Sequence, residues 1–251
     1  TIVEAIDKDF VKRAFGDDSG YLYEYDFPDE APWRFEDLGS DGSLYVPNPI
    51  KPETHENDPQ AEVVAQWVQT VNQASDATFR TAVSEYLDLD KFLRHVAVEV
   101  FIADYDGFLG NYGINNFYIY RLASGKQFNF IAWDKSEGFK SGPESSIFHN
   151  IRDVPTSQQN RLMTRVLTFP DLYNRFLDLL IECARSAAET APGDARGWLE
   201  REVDREYNQI RDAAFADGEK NYSDDDFEAA VDHLRRFAAQ RSALVTQEAG
   251  A

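Results

Sequence analysis

The chain has one cysteine and one methionine among 251 residues, and its 25 basic residues face 45 acidic ones. A lone thiol, Cys183, excludes a disulfide framework and a cysteine-rich metal site. Its apolar setting, FLDLLIECA, predicts a buried, inert side chain. The basic deficit gives a formal net charge of -20. That opposes nucleic acid and anionic membranes, whose phosphates require an excess of Lys and Arg. No apolar run is long enough to cross a bilayer, so membrane insertion is not expected, and no signal peptide is recognised. His55, His95, His149 and His233 are scattered without the pairing of a metal site and receive no chemistry. A serine nucleophile elbow, a Cys-His pair and a phosphate-cradling glycine-rich loop are also missing.

The length allows one good-sized core, and a single domain over residues 1–251 is expected. The chain opens without methionine inside an apolar run, Thr1-Ile2-Val3, read as a strand ending at Glu4. This start suggests a fragment, an excised domain or a processed product. Asp7 is placed to cap a helix that runs through Phe15 and stops at Gly16. Tyr21 to Phe27 alternates as a strand. Pro28 to Glu56, rich in Pro, Gly, Asp and Asn, reads as a long surface loop with room for short turns. Helices are expected from Asp58-Pro59, after Asp76 and after Asp90. Four more are expected at Gln159–Thr168, Pro170–Ala188, Ala195–Ala216 and Ser223–Gln247, with loop from Lys140 to Ser157. The fold class is therefore α+β and mostly helical.

The most informative stretch is Asp104 to Phe139. Asn116 to Leu122 and Gln127 to Trp133 are rich in aromatic and β-branched residues around Ser124-Gly125, which predicts a β-hairpin. Asp106 precedes it, Asn115 and Asn116 open its first strand, and Asp134 ends its second. Strand ends and adjoining loops are where side chains converge without filling a core. Phosphoryl transfer needs such a set: a base for the hydroxyl and oxygen ligands for Mg²⁺. Asp106 fits two roles, a turn residue in Asp-Gly or a general base. Asn115 and Asn116 point to opposite sides if both are in the strand, so one of them faces the metal. Asn111 is a third contender, at the spacing of the ordinary kinase loop. Asp134, after Phe130-Ile131-Ala132-Trp133, is the strongest single candidate. Asp104 reads as a capping or solvated acid.

These residues resemble the CotH kinase family, the spore-coat protein H type of atypical kinase. The matching segments are Asp106-Gly107, Asn115-Asn116-Phe117-Tyr118-Ile119-Tyr120 and Trp133-Asp134-Lys135-Ser136-Glu137-Gly138-Phe139. IVEAIDKDFVKRAFG, QNRLMTRVLTFPDLYNRF and HLRRFAAQRSALV extend the likeness along nearly the whole chain. The resemblance implies the large lobe of an atypical kinase, with the small nucleotide-clamping lobe outside this chain. It implies Asp106 as catalytic base and a metal held by Asp134 with Asn116 or Asn115. Glu4 and Asp7 would lie at the adenosine end of ATP. The cofactors implied are ATP and Mg²⁺, with Mn²⁺ a second cation of the same class. The partner implied is a protein presenting Ser or Thr hydroxyls, in an extracellular, cell-surface or spore-coat setting. The sequence departs from the family at Ser136, where the family has an acid. That departure, with the small lobe missing, motivates the alternative of a non-catalytic structural or interaction domain of the same fold.

Overall fold

The computed structural model describes residues 3–28 and 32–250, which hold eight α-helices and four β-strands. They divide into two compact units, one of residues up to 96 with 105–137 and 148–175, the other of 97–104, 138–147 and 176–251.

The first unit is built on an antiparallel sheet in the order β2-β1-β3-β4, with β1 Tyr21–Tyr25, β2 Ile50–Pro52, β3 Phe117–Arg121 and β4 Phe128–Ala132. The expected hairpin is β3–β4, registered from Phe117 opposite Ala132 to Arg121 opposite Phe128. All five residues of β3 are buried, because both faces of the sheet are covered. One face is covered by α1 (Lys8–Phe15), whose Val11 packs on Leu22, Tyr118, Tyr120 and Ile131. Its ends follow the sequence signals. Asp7 accepts from the backbone of Asp9 and Phe10, and Gly16 closes the helix at φ 79°, a backbone open to glycine.

The other face packs on aromatic rings. Trp67, on α2 (Ala61–Gln73), stacks on Phe128 with centroids 4.6 Å apart, and Phe35 meets Trp67 edge-on at 4.8 Å. Phe92, on α4 (Leu89–Phe101), meets Phe108 edge-on at 5.4 Å. Between α2 and α4 lies the short α3, Phe79–Ser84. The unit also contains α5, Arg161–Val166, capped by Asn160.

The structure corrects several expectations. Within the segment Pro28–Glu56, of which residues 29–31 lie outside the described residues, the described residues are more than a surface loop: beside the 3₁₀ turn at Gly42–Leu44 they hold β2, and Trp33, Phe35, Tyr45, Val46 and Ile50 are buried. Its apolar residues occur at no regular period, so they pack by tertiary fit that a periodicity search misses. Helix α2 starts at Ala61, because Gln60 takes a left-handed backbone, φ 53°, which breaks the helix after Pro59. Helix α4 starts earlier than expected, with Asp88 accepting from the N–H groups of Asp90 and Lys91. Val3 and Glu4 belong to no strand, and Thr1 and Ile2 lie outside the described residues.

In the second unit, α7 (Trp198–Ala216) and α8 (Asp224–Ala249) form a helical hairpin, and Ser223 closes a capping box with Asp226. Arg241, 1% exposed, donates to the carbonyls of Val100 at 2.7 Å and Phe101 at 2.8 Å, and also to Pro143 and Ser145. The first two are last-turn carbonyls of α4, which lack helical partners and attract a cation. Helix α6 spans Pro170–Ala187. Its Cys183 is half-buried rather than buried, although it lies on the same face as the buried Phe176, Leu179, Leu180 and Ala187. Among the described residues no helix is long and apolar enough to cross a membrane.

Trp33, 5% exposed, stacks on Phe35 at 5.1 Å and on Tyr25 at 6.3 Å. Trp33→Ala is therefore expected to cost about 3–5 kcal/mol, read as a lower urea midpoint with an unchanged slope. A loss under about 0.5 kcal/mol, the range of surface substitutions, would return the segment to the surface.

Candidate functional site

The segment between α4 and β3 is folded by its own backbone into successive turns. Gly107 O accepts from Gly110 and from Asn115, both at 3.0 Å, and Tyr105 O accepts from Asn111 at 2.9 Å. Gly113 has φ 113°, and an added Cβ would lie 2.8 Å from Trp33 O, so only glycine fits. Next to it, Ile114 N–H bonds Trp33 O at 3.0 Å. Phe108 is wholly buried, edge-on to Phe117 at 5.5 Å and Phe130 at 5.2 Å.

This turn structure delivers Asp106 to the two amides. Asn115 Nδ2 donates to Asp106 Oδ1 at 3.2 Å, and Asn116 Nδ2 donates to Oδ2 at 2.8 Å and to the Asp106 carbonyl at 2.9 Å. The expected split of the asparagines to opposite sides does not occur. Strand β3 begins only at Phe117, and Asn116 has φ 56°, a left-handed backbone that Asn tolerates better than most residues. That rotation turns both amides toward one carboxylate. Asn116 O then accepts from Trp133 N–H at 3.2 Å, which places Asp134 next along the chain from the clamp. Asp134, exposed and at φ 38°, accepts at Oδ1 from Ser136 N–H, 3.3 Å away.

The remaining predicted residues are engaged elsewhere. Glu4 pairs with Arg13, and the Asp7 carboxylate caps α1; neither bonds Asp106, Asn115, Asn116 or Asp134. Asp7 does line a cavity of about 340 Å³ with Lys8, Leu22, Glu53 and Thr54. Asp104 is 4% exposed, which removes the solvated alternative of its two readings, capping or solvated. Asn111 directs Oδ1 away from the clamp, to His149 Nε2 at 2.7 Å and Asn150 Nδ2 at 3.0 Å.

Two features escaped the sequence. His149 stacks on Tyr105 with centroids 3.9 Å apart. Its Nδ1 faces Asp153 Oδ2 at 3.0 Å and its Nε2 faces Asn111 Oδ1. Asn150 Nδ2 also bonds Leu109 O at 2.8 Å, which fixes the orientation of both amides. Each ring nitrogen of His149 therefore faces an oxygen that accepts, and the ring ties residues 149–153 to the Asp106 segment from its far side. The second feature is a polar row across the sheet, Lys51 opposite Glu24 opposite Tyr118. Tyr118 donates to Glu24 at 2.8 Å, and Lys51 reaches Glu53 at 2.7 Å and Glu24 at 3.3 Å. No local motif marks either feature; β2, the strand that brings in Lys51, was itself unrecognised.

Among the described residues no group of three or more His, Cys, Asp and Glu side chains is placed to hold a metal. Oxygen donors are nevertheless present. Asn115 and Asn116 turn their nitrogens to Asp106, and among the described residues no protein donor bonds either Oδ1. With the Asp134 carboxylate these oxygens are hard ligands of the kind Mg²⁺ takes, one carboxylate with neutral oxygens and phosphates completing the shell.

The sequence model of the family described as "CotH kinase protein" matches residues 1–245. Among curated proteins, the inner spore coat protein H of Bacillus subtilis (strain 168) is 38% identical over 64 residues, a stretch that is 26% of this chain and 16% of that relative. The match thus spans far less than two thirds of the relative's length.

Two predictions follow from this geometry. His149→Phe should keep the stack on Tyr105 but lose both polar ties, so amide exchange at Asn111, read by NMR or mass spectrometry, should speed up about two- to tenfold, one hydrogen bond being worth about 0.5–1.5 kcal/mol. Unchanged exchange would show that the backbone turns hold the segment alone. The polar row predicts an alkaline limit. Hydrogen bonds to Glu53 and Glu24 raise the Lys51 ammonium from 10.5 to about 12. Burial, then the bond to Glu24, pushes the Tyr118 hydroxyl above its ordinary 10.0. Both folded values exceed the unfolded ones, so the stability they contribute is complete below about pH 10 and lost as pH rises through the folded values. Urea midpoints should therefore fall between about pH 10 and 12, and less steeply in Tyr118→Phe; equal slopes would remove Tyr118 from the effect.

Proposed function

The chain belongs to the CotH kinase family, and on that premise we propose that it is a single kinase domain over residues 1–251 that transfers the γ-phosphoryl group of ATP to Ser or Thr hydroxyls of a protein. The observation that supports this best is the clamp on Asp106, a half-buried carboxylate with each oxygen held by a different asparagine. A general base must meet the hydroxyl proton in a fixed direction. As the substrate oxygen bonds to phosphorus and the bond to the ADP oxygen breaks, Asp106 takes the proton.

Asp134 with the Oδ1 atoms of Asn116 and Asn115 would hold Mg²⁺, or Mn²⁺, which supplies neutralisation of the phosphate charge. A chain at -20 requires such a cation before a triphosphate approaches. For the adenosine end we assign Asp7 and Glu4, Asp7 through the cavity it lines while its carboxylate caps α1. The curated relative's name favours a spore-coat or cell-surface setting. A second reading, a non-catalytic coat or interaction domain of the same fold, draws on Ser136 and on the lack of an acidic cluster among the described residues.

In the full-length protein, Asp106→Asn and Asp134→Asn should each lower phosphate transfer to a Ser/Thr protein acceptor by about 10²–10⁴-fold, with circular dichroism and thermal midpoint unchanged. Full activity in both variants would remove these residues from the mechanism. Full-length protein that transfers no phosphate with either Mg²⁺ or Mn²⁺ would favour the non-catalytic reading.

A further inference from the structure

We propose that the groove between α7 and α8 is a docking site for a basic amphipathic helix of a partner protein. The groove holds about 400 Å³ and is walled by Trp198, Val203 and Ile210 on α7 and by Phe227, Val231 and Leu234 on α8. Trp198 is 48% exposed and Ile210 is 46% exposed, so large apolar side chains stand in water along it. The two walls are tied to each other by fixed contacts. Tyr207 stacks on Phe227 at 6.0 Å and donates to Glu228 at 2.7 Å, and Arg235 bonds Asp204 at 2.9 Å. A preformed groove of this kind costs little ordering when a partner enters.

The chemistry of the lining selects the occupant. Both walls are helices with their backbone groups satisfied internally, so an extended strand would find no edge to pair with, whereas a helix brings its own hydrogen bonds and offers apolar side chains at i, i+3 and i+7. A small ligand needs a few convergent polar groups to orient it, and the charged residues lining this groove are two carboxylates, Glu202 and Glu206. Both pair with Arg205 in exposed contacts, which a competing cation exchanges readily. The first turn of α8 adds Asp224, Asp225 and Asp226. Acidic flanks around an apolar floor complement Lys and Arg around apolar anchors. The same acidity disfavours a second copy, since two chains at -20 repel.

The test uses the whole chain and a fluorescein-labelled helical peptide with leucines at i, i+3 and i+7 and lysines elsewhere, with a second peptide carrying glutamates in place of the lysines. Anisotropy should give micromolar binding of the lysine peptide, weakened by added salt, and none of the glutamate peptide. Ile210→Asp and Trp198→Ala should each weaken it by about tenfold or more at unchanged circular dichroism. Glu202→Lys with Glu206→Lys should shift preference toward the glutamate peptide. Absence of binding, equal binding of the two peptides, or binding that survives both apolar substitutions would overturn the proposal. So would a concentration-dependent dimer abolished by Ile210→Asp, or displacement of the peptide by a small alkyl probe that itself saturates the groove. None of these readouts depends on phosphate transfer.

Discussion

The candidate site depends on the burial of one ring, Phe108. It lies two residues beyond Asp106 and is wholly enclosed by Phe92, Phe117 and Phe130. Burying a phenylalanine contributes about 1.5–3 kcal/mol, and each edge-on ring contact adds about 0.5–1.5. The left-handed backbone at Asn116 works the other way, at about 1–2 kcal/mol. The anchor and the amide bonds to a charged carboxylate, about 1.5–3 kcal/mol each, together exceed that strain. The turn is thus held by the core beneath it, and Asp106 is aimed from a rigid base although it sits in a segment without helix or strand.

That base exists because the sheet is covered on both faces. With α1 on one side and the aromatic layer of Trp67, Phe35 and Phe92 on the other, β3 has no solvent face. Its polar residues must then find partners inside: Tyr120 donates to Asp17 O at 2.7 Å, and Tyr118 donates to Glu24. Charges stay largely at the surface, in pairs such as Arg80–Asp171 and Arg94–Asp90 whose side chains are about half exposed. Such pairs are worth about 0–1 kcal/mol each, so they shape the surface potential more than the stability. The acidic excess therefore bears on which partners approach, rather than on how the core is built.

Local signals in the sequence were read well where the physics is local. The caps Asp7, Gly16 and Ser223 act within a few residues of themselves, and the β3–β4 hairpin is carried by its own composition and turn. The segment from Pro28 to Glu56 failed the same reading, because Phe35 packs on the distant Trp67, Trp33 packs on Tyr25, Phe35 and Tyr45, and these residues follow no period of their own. The site was legible as a set of residue types and illegible as geometry. That Asn115 and Asn116 converge follows from one backbone angle, for which the only hint in the sequence is that Asn tolerates positive φ. His149 was passed over because its partners Asn111 and Tyr105 are 38 and 44 positions away, and solitary histidines carry no signal.

Ser136 is where chemistry and fold meet. On the proposed assignment, an acid at this position would add a second negative ligand near Asp134; the backbone N–H of residue 136, which any residue but proline would offer, orients Asp134 Oδ1. Mg²⁺ is usually bound through one or two carboxylates together with substrate phosphates. A site with one carboxylate and two amide oxygens stays within that range but binds the free cation weakly, so metal and nucleotide would enter together. The cation's charge would then be matched mainly by the phosphates it accompanies, which suits a surface already at -20. Under the proposed assignment Ser136 would shift the order of binding without removing the capacity for it, and the Asp106 clamp would be the feature on which catalysis rested.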